Sequence, residues 1–497
     1  MLQKIAYLYL ILPLVIFCTT WFNFYGTSIL MLSLLISCYF IRLSPNKYSI
    51  TNLSTLANKR VVFFAFAIAS LWCFWSGIGG YMYQSGDFAA RNAIYRDLIE
   101  RSWPVYYKYL GGFALNYYFG FWLLPAFLTK VLCFFSTDYN LIFYIGLYVL
   151  LIYSIIGVTI FLLLLVSIIK PKSMKQLFLV LTFPLFFSGL DIIGALIYQS
   201  PFFNIENFRL ASPFFGNMHI ETYNGTGNIQ YSSFTTQLFW VFNQSIPCWI
   251  ITLLILKDKT PENYGILATL GFFYCPLPMI GISIIMLTNC ILYLVNNNET
   301  FKEKIKKFIS LSNIYILPIF IIIILFMSLN GAKKHAELGF KGVEVSRYLL
   351  FIVLEFGCFL FFIFNRYKKD VLFYITIFAL SVLCLFSFNE GYGDFQMRTT
   401  IPFLLLLLIF ILQYLLSNAR ILSKTMLSIL LIIGACTPLV EFSRGAIQVS
   451  SSKNIRHLDN RWYTLYKQPP SWPYYNYNLW LPYNYKFYQM LVKENNE

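Results

Sequence analysis

Apolar runs near 20 residues long recur from one end of the chain to the other, separated by short polar stretches. At 1.5 Å per helical residue, each is long enough to cross a hydrocarbon core about 30 Å thick. The pattern predicts membrane helices over roughly 5–22, 27–42, 61–79, 141–169, 176–197, 235–256, 264–278, 279–296, 312–329, 349–365, 371–389, 401–417 and 425–441, about thirteen crossings. The expected fold class is all-α, a polytopic integral membrane protein. The first run, YLYLILPLVIFCTTWF, follows Lys4 as a signal peptide would, but a second apolar run comes at once with no small-residue cleavage site between them. It reads as a retained helix. The stretch LGGFALNYYFGFWLLPAFLTKVL from Leu110 is set apart, because its glycine pair, Pro125 and tyrosines suit an interfacial or re-entrant helix.

The polar connections orient this array. With the amino terminus cytoplasmic, the inner segments hold Lys4; Arg42, Lys47, Lys59 and Arg60; Lys170, Lys172 and Lys175; Lys257 and Lys259. Further along they hold Lys302, Lys304, Lys306 and Lys307; Arg366, Lys368 and Lys369; Arg420 and Lys424. The short outer connections, near 23–26, 275–279 and 390–400, hold only Arg398, as the positive-inside rule requires. Counting the Leu110 stretch as a span would invert everything after it and put KPKSMK outside. Four long segments then face outward, 80–140, 198–234, 330–348 and a tail from 442 to 497, so a site for chemistry is expected there. The implied organisation is a helix pair with a basic loop over 1–60, a transmembrane domain over 61–441 and an extracytoplasmic aromatic-rich tail over 442–497. The expected location is the cytoplasmic (inner) membrane.

Composition narrows the function classes. The 497 residues are 58% hydrophobic and only 12% charged, which excludes an ordinary soluble domain. The net charge of +16 is scattered over many loops and forms no stripe, so nucleic acid is not an expected partner. None of the ten cysteines forms a C-x-x-C pair, and neither a disulfide framework nor a zinc site is signalled.

The charges that remain are candidates for chemistry. SGDFAARNAIYRDLIERSWPVYY, residues 85–107, packs Asp87, Arg91, Arg96, Asp97, Glu100 and Arg101 just beyond the third span. Ser85 or Asp87 can cap a helix running to about Ser102. Asp87 and Arg91, like Asp97 and Arg101, are four apart and can pair one turn on, so a solvated interfacial helix is the plain alternative to a site. Asp191 and Glu355 lie inside apolar runs, six and seven residues from their outer ends, roughly 10 Å deep. Acids there are costly and should face a partner or a wet cavity. Arg398 precedes the helix from Ile401, where guanidinium and free helix N–H groups together favour an anion; Asp394, four residues earlier, offers an ion pair as the alternative. Glu221, Tyr231 and the amides Gln237, Asn243 and Gln244 suit sugar hydroxyls or a packed outer loop equally. His219 and His335 have no spaced partners that would make them metal ligands.

YQSGDFAARNAIYRDL followed by WPVYY, then FSGLDIIG, IQYSSFTTQLFWVFNQSIP and GYGDFQMRTTIPFL, resemble the pattern of bacterial GT-C glycosyltransferases of the cell envelope, over about Val61 to Arg444. That resemblance implies transfer of a sugar from a polyprenyl-phosphate donor to a glycan, lipid or protein acceptor outside the membrane. It places Asp87 as the catalytic aspartate and residues 88–102 and 110–130 as two juxtamembrane helices, with Arg91, Asp97, Arg101, Asp191, Glu221, Tyr231, Glu355, Asp394 and Arg398 as substrate-binding candidates. A divalent metal (Mg or Mn) could supply part of the charge stabilisation, but no ligand cluster requires one. The aspartate follows the third predicted helix and not the first, and a paired acid motif is absent. A transporter or flippase of a lipid-linked saccharide, or a saccharide polymerase or ligase, are the alternatives. For an enzyme, Asp87, Asp191, Glu355 and Arg398 are expected to line one outward cavity.

Overall fold

The computed structural model describes residues 1–43, 55–107, 113–198, 220–222, 229–296, 299–330, 337–340, 342–388, 394–450, 458–459, 463–465, 478–479 and 492. The chain is mostly helical, and by length and composition seven helices, or eight counting one bent pair, can cross a membrane. In order they are α1 (Leu2–Thr20), α2 (Phe24–Tyr39), α3 (Thr55–Trp75), α4 (Phe88–Glu100), α5 (Gly120–Leu132), α6 (Tyr139–Ile169) and α7 (Met174–Phe186). Then come α8 (Asp191–Tyr198), α9 (Phe234–Asp258), α10 (Tyr264–Tyr274), α11 (Pro276–Asn296), α12 (Phe301–Phe308), α13 (Leu311–Tyr315) and α14 (Leu317–Ser328). The series ends with α15 (Val345–Ile352), α16 (Cys358–Tyr367), α17 (Val371–Val382), α18 (Asp394–Thr399), α19 (Ile401–Leu415), α20 (Ile421–Gly434) and α21 (Cys436–Ser450). Every expected span falls on one of these helices or on a broken pair of them.

Local chemistry sets the ends. Asn23, Asp138, Ser173, Ser233, Thr300 and Asp370 each accept a first-turn N–H with their side chains, starting α2, α6, α7, α9, α12 and α17. Lys170 and Lys259 close α6 and α9 in the left-handed conformation, φ +53° and +54°. The core is built around α6 and α9, which pack on one another, with α3 and α5 against α6 and α1 against α5. Here α9 is buried all round, as a central helix must be.

Several expected continuous spans are interrupted. The run over 176–197 is two helices, because the chain turns extended at Phe187 and resumes only at Asp191. The run over 312–329 bends by 67° between α13 and α14. A π-turn, Val353–Gly357, separates α15 from α16. Among the described residues of the Leu110 stretch, β2 (Phe113–Leu115) precedes a 13-residue helix, α5. Two small antiparallel sheets, unforeseen in an all-α chain, join segments between the helices: β1 (Tyr106–Tyr107), β2 (Phe113–Leu115) and, from the tail, β5 (Asn478–Leu479) form one, and β3 (Leu338–Phe340) pairs with β4 (Phe386–Phe388) in the other.

Candidate functional site

The loop after α3 is turned back by Gly77, Gly79 and Gly80, with φ of +83°, +91° and +79°. A Cβ on Gly77 would lie 2.5 Å from the Tyr83 carbonyl oxygen, so no other residue fits that turn. Gln84 Nε2 donates to the Gly77 carbonyl at 2.9 Å, and Asn92 Nδ2 donates to Gln84 Oε1 at 2.8 Å, tying the loop to α4. Asp87 stands at the N-terminus of α4 but makes no side-chain cap. Its carboxylate instead accepts from Arg91 Nη2 at 2.9 Å, and the pair is unequal: the Asp87 side chain is 45% exposed and that of Arg91 only 5%. The i,i+4 pairing read from the sequence is formed, and it aims Asp87 outward.

From Arg91 a series of contacts leads to Arg398. The Arg91 guanidinium lies 5.9 Å from the Phe242 ring centroid. Trp122 meets the same ring edge-on at 6.1 Å, Tyr117 stacks on Trp122 at 6.0 Å, and Tyr117 touches Tyr118 at 3.7 Å. Arg398 Nη1 donates to Tyr118 Oη at 2.7 Å, and Nη2 donates to Asp394 at 2.9 Å. Burial lowers the Arg398 pKa, but Asp394, Tyr118, Tyr117 and Asp87 together outweigh it and raise the guanidinium well above its ordinary value. Asp87 and Arg398 are therefore electrostatic neighbours, although 311 positions separate them in the chain.

Along this series, Arg91 Nη1, Trp122 Nε1 and Arg398 Nε are buried and have no hydrogen-bond partner. All three are donors only, two of them cationic, and a buried donor without a partner costs about 1–3 kcal/mol. The ion pair considered as the alternative for Arg398 does form with Asp394, yet it uses only one face of the guanidinium. Beside Phe242, past a non-helical Val241 in α9, neither polar atom of the Asn243 amide has a partner. Gln237 is occupied structurally, by Trp249 Nε1 at 2.9 Å and the Ser232 carbonyl at 2.7 Å.

The expectation of one cavity for four residues is corrected to two clusters. Asp191 and Glu355 meet each other where two helix interruptions coincide: the Leu190 N–H donates to the Leu354 carbonyl at 3.0 Å, and the small cavity that Glu355 borders is lined by neither Asp87 nor Arg398. Asp191 Oδ2 accepts from Ser188 at 3.0 Å and Thr437 at 2.9 Å. Glu221 is a further neighbour of Glu355, but its carboxylate is committed to the start of α9, accepting from the Ser233 N–H at 2.8 Å, Thr236 Oγ1 at 2.7 Å and Gln230 Nε2 at 3.1 Å. Tyr231 Oη donates to the Leu380 carbonyl, and its ring packs on Phe351 at 4.9 Å.

Asp97 and Arg101 form the second expected pair, at 3.6 Å. Asp97 also accepts from Tyr107 Oη at 3.0 Å, the Leu465 N–H at 3.0 Å and Thr464 Oγ1, so it holds the tail. His219, His335 and most of the aromatic tail lie outside the described residues. Sequence reasoning missed Trp122, Glu441 and Arg444. Glu441 pairs with Arg444 and accepts from Trp240 Nε1 at 3.1 Å, and both charges border a small cavity with Ser85, Tyr83 and Trp75. The E-F-S-R spacing at the end of the last apolar run was the available signal. Among the described residues no three His, Cys, Asp or Glu side chains converge as metal ligands, and Asp87 already faces a buried arginine, so this donor set does not fit a divalent cation.

No protein-family model matches the sequence, no curated protein is similar to it, and no solved structure matches its fold.

Proposed function

We propose that the chain is a GT-C type glycosyltransferase of about thirteen spans, moving a sugar from a polyprenyl-phosphate carrier to an acceptor hydroxyl on the outer side of the cytoplasmic membrane. The observation that carries this reading is the electrostatic proximity, across the fold, of a half-exposed carboxylate, Asp87, to a buried cation, Arg398, with three buried donors among their neighbours left unused. In the reaction, the Asp87 carboxylate takes the acceptor's proton while the acceptor oxygen bonds to the anomeric carbon. The bond from that carbon to the phosphate oxygen breaks, and its electron pair leaves on the phosphate. Arg398, Arg91 and Trp122 receive the charge that develops there, as preorganised donors do for a leaving oxyanion.

The test is transfer of radiolabelled sugar from polyprenyl-phosphate donors in vesicles holding the purified chain and envelope lipid and glycan acceptors. Asp87→Asn keeps the side chain's shape and removes the proton acceptor. Transfer is expected to fall by about 10²–10⁴-fold at unchanged membrane level. Near-normal transfer by that variant would remove Asp87 from the chemistry. A second reading, transport or flipping of a lipid-linked saccharide, is favoured by one observation: acids at coincident helix interruptions, Asp191 and Glu355, are the arrangement by which transporters hold substrates or coupling ions. Movement of the intact lipid-linked sugar between leaflets without glycosidic cleavage would select it. A polymerase or ligase would instead require a lipid-pyrophosphate donor in the same assay.

A further inference from the structure

At the end of α6 and α19 opposite Arg398, the structure opens a cavity of about 560 Å³. Lys170 and Lys172 from the α6–α7 turn and Arg366 at the end of α16 line it, with Gln176, Gln413 and Asn418 as neutral donors. Among the described residues no carboxylate borders it. None of the three cations forms an ion pair among the described residues, and Asp370, four residues past Arg366, is turned to the Leu372 N–H at 2.9 Å. Arg366 is held at 5.8 Å from the Tyr367 ring, whose hydroxyl donates to the Phe410 carbonyl at 3.1 Å, so the guanidinium has a fixed anchor. A second cavity of about 430 Å³ flanks the same turn, bordered by Lys59, Arg60, Phe63, Phe64 and Met174. Its apolar wall continues outward: Phe63, Met174 and Phe178 are 64%, 43% and 42% exposed.

We propose that this end of the bundle binds the phosphate headgroup of an anionic phospholipid, the headgroup in the basic cavity and an acyl chain along Phe63 and Phe178. A basic pocket between helix ends on the face that the charge pattern assigns to the cytoplasm meets the leaflet richest in anionic lipid. Three uncompensated cations with amide donors suit a phosphate, and the adjoining exposed aromatic wall suits hydrocarbon where a free phosphate would need none. Ordinary positive-inside charges need only be numerous and solvated. These converge on one concavity. The site is independent of the proposed transfer reaction, and its test uses no turnover.

The test is binding of fluorescent phosphatidylglycerol to the purified full chain in detergent, with phosphatidylcholine as the neutral probe. Saturable binding of phosphatidylglycerol alone is expected. It should weaken about fivefold for each of Lys170→Gln, Lys172→Gln and Arg366→Gln and about a hundredfold for the triple variant, since each surface cation contributes about equally to anionic-lipid attraction. Lys302→Gln with Lys306→Gln, on α12, should leave binding unchanged. Displacement by millimolar inorganic phosphate would make free phosphate the ligand and overturn the lipid source. Equal loss with the α12 pair, or wild-type binding by the triple variant, would overturn the site. If the triple variant does not accumulate, Lys172→Glu alone decides, with a loss of about twentyfold or more expected.

Discussion

Asp87 and Arg398 show how a residue's role depends on the partners it leaves unused. Asp87 spends one carboxylate edge on Arg91 and keeps the rest toward solvent, while Arg398 spends its two terminal nitrogens on Tyr118 and Asp394 and keeps Nε. Arg398→Lys retains charge but loses the planar fork that reaches both partners. Donor affinity, measured by equilibrium binding of a polyprenyl-phosphate sugar, should fall about tenfold with lysine and about a hundredfold with alanine. Wild-type affinity in both variants would place the phosphate elsewhere. Asp97 has a different task. Burial raises its carboxyl above the ordinary 3.8, against the lowering effect of Thr464, Arg101, Leu465 and Tyr107. The folded state thus binds this proton more tightly than the unfolded chain. Its contribution to stability is full below 3.8 and is lost as pH rises through the raised folded value. Protease cutting near Thr464 should therefore increase as pH rises through that window in the wild type, and Asp97→Asn should flatten the profile.

At the scale of elements, the decisive feature is the meeting of the break between α7 and α8 with the π-turn between α15 and α16. Gly189 permits it: a Cβ there would lie 2.2 Å from Glu355 Oε2 and 2.9 Å from the Glu355 Cα. One of those atoms is backbone, which cannot simply rotate away. Gly189→Ala is expected to destabilise the fold by about 1–3 kcal/mol through overpacking, read as a lowered thermal inactivation midpoint in detergent. An unchanged midpoint would mean that the two interruptions are not in contact. The charged α4 is the other informative element. Arg96 is sandwiched between the Phe143 and Tyr463 rings, each 3.9 Å from its guanidinium, and pairs with Glu100 at 3.2 Å. Most of the charges crowded into residues 85–107 therefore fasten the outer loop to α6 and the tail, and Asp87 with Arg91 is the part turned to the series that leads to Arg398.

For the whole molecule, the alternation of basic and charge-poor connections predicts an orientation. In a background without its ten cysteines, Lys306→Cys should react with an impermeant maleimide only in inverted vesicles, and Glu344→Cys only in intact cells. The reverse pattern would move Asp87 and Arg398 to the cytoplasmic side and end the proposal of transfer outside. The basic cavity at the α6–α7 turn would change leaflet with them.

Helix positions and the i,i+4 pairs at Asp87, Asp97 and Arg398 were legible in the sequence. Each depends on contacts within one or two turns or on the length of an apolar run. The contact of Asp191 with Glu355, the approach of Asp87 to Arg398 and the capture of Asp97 by the tail join positions 164, 311 and 367 apart. No local propensity encodes such distances. Inside an apolar array every helix face is hydrophobic, so periodicity cannot say which face meets which. Trp122 and Arg444 were passed over because a tryptophan or an arginine in a greasy run is ambiguous until its neighbours are known. Only the packing of α4, α5 and α9 around Phe242, and of α18 against Tyr118, left these donors buried and unused, because it is the absence of a nearby acceptor, a property of the assembled helices, that makes a buried polar atom a candidate binding group.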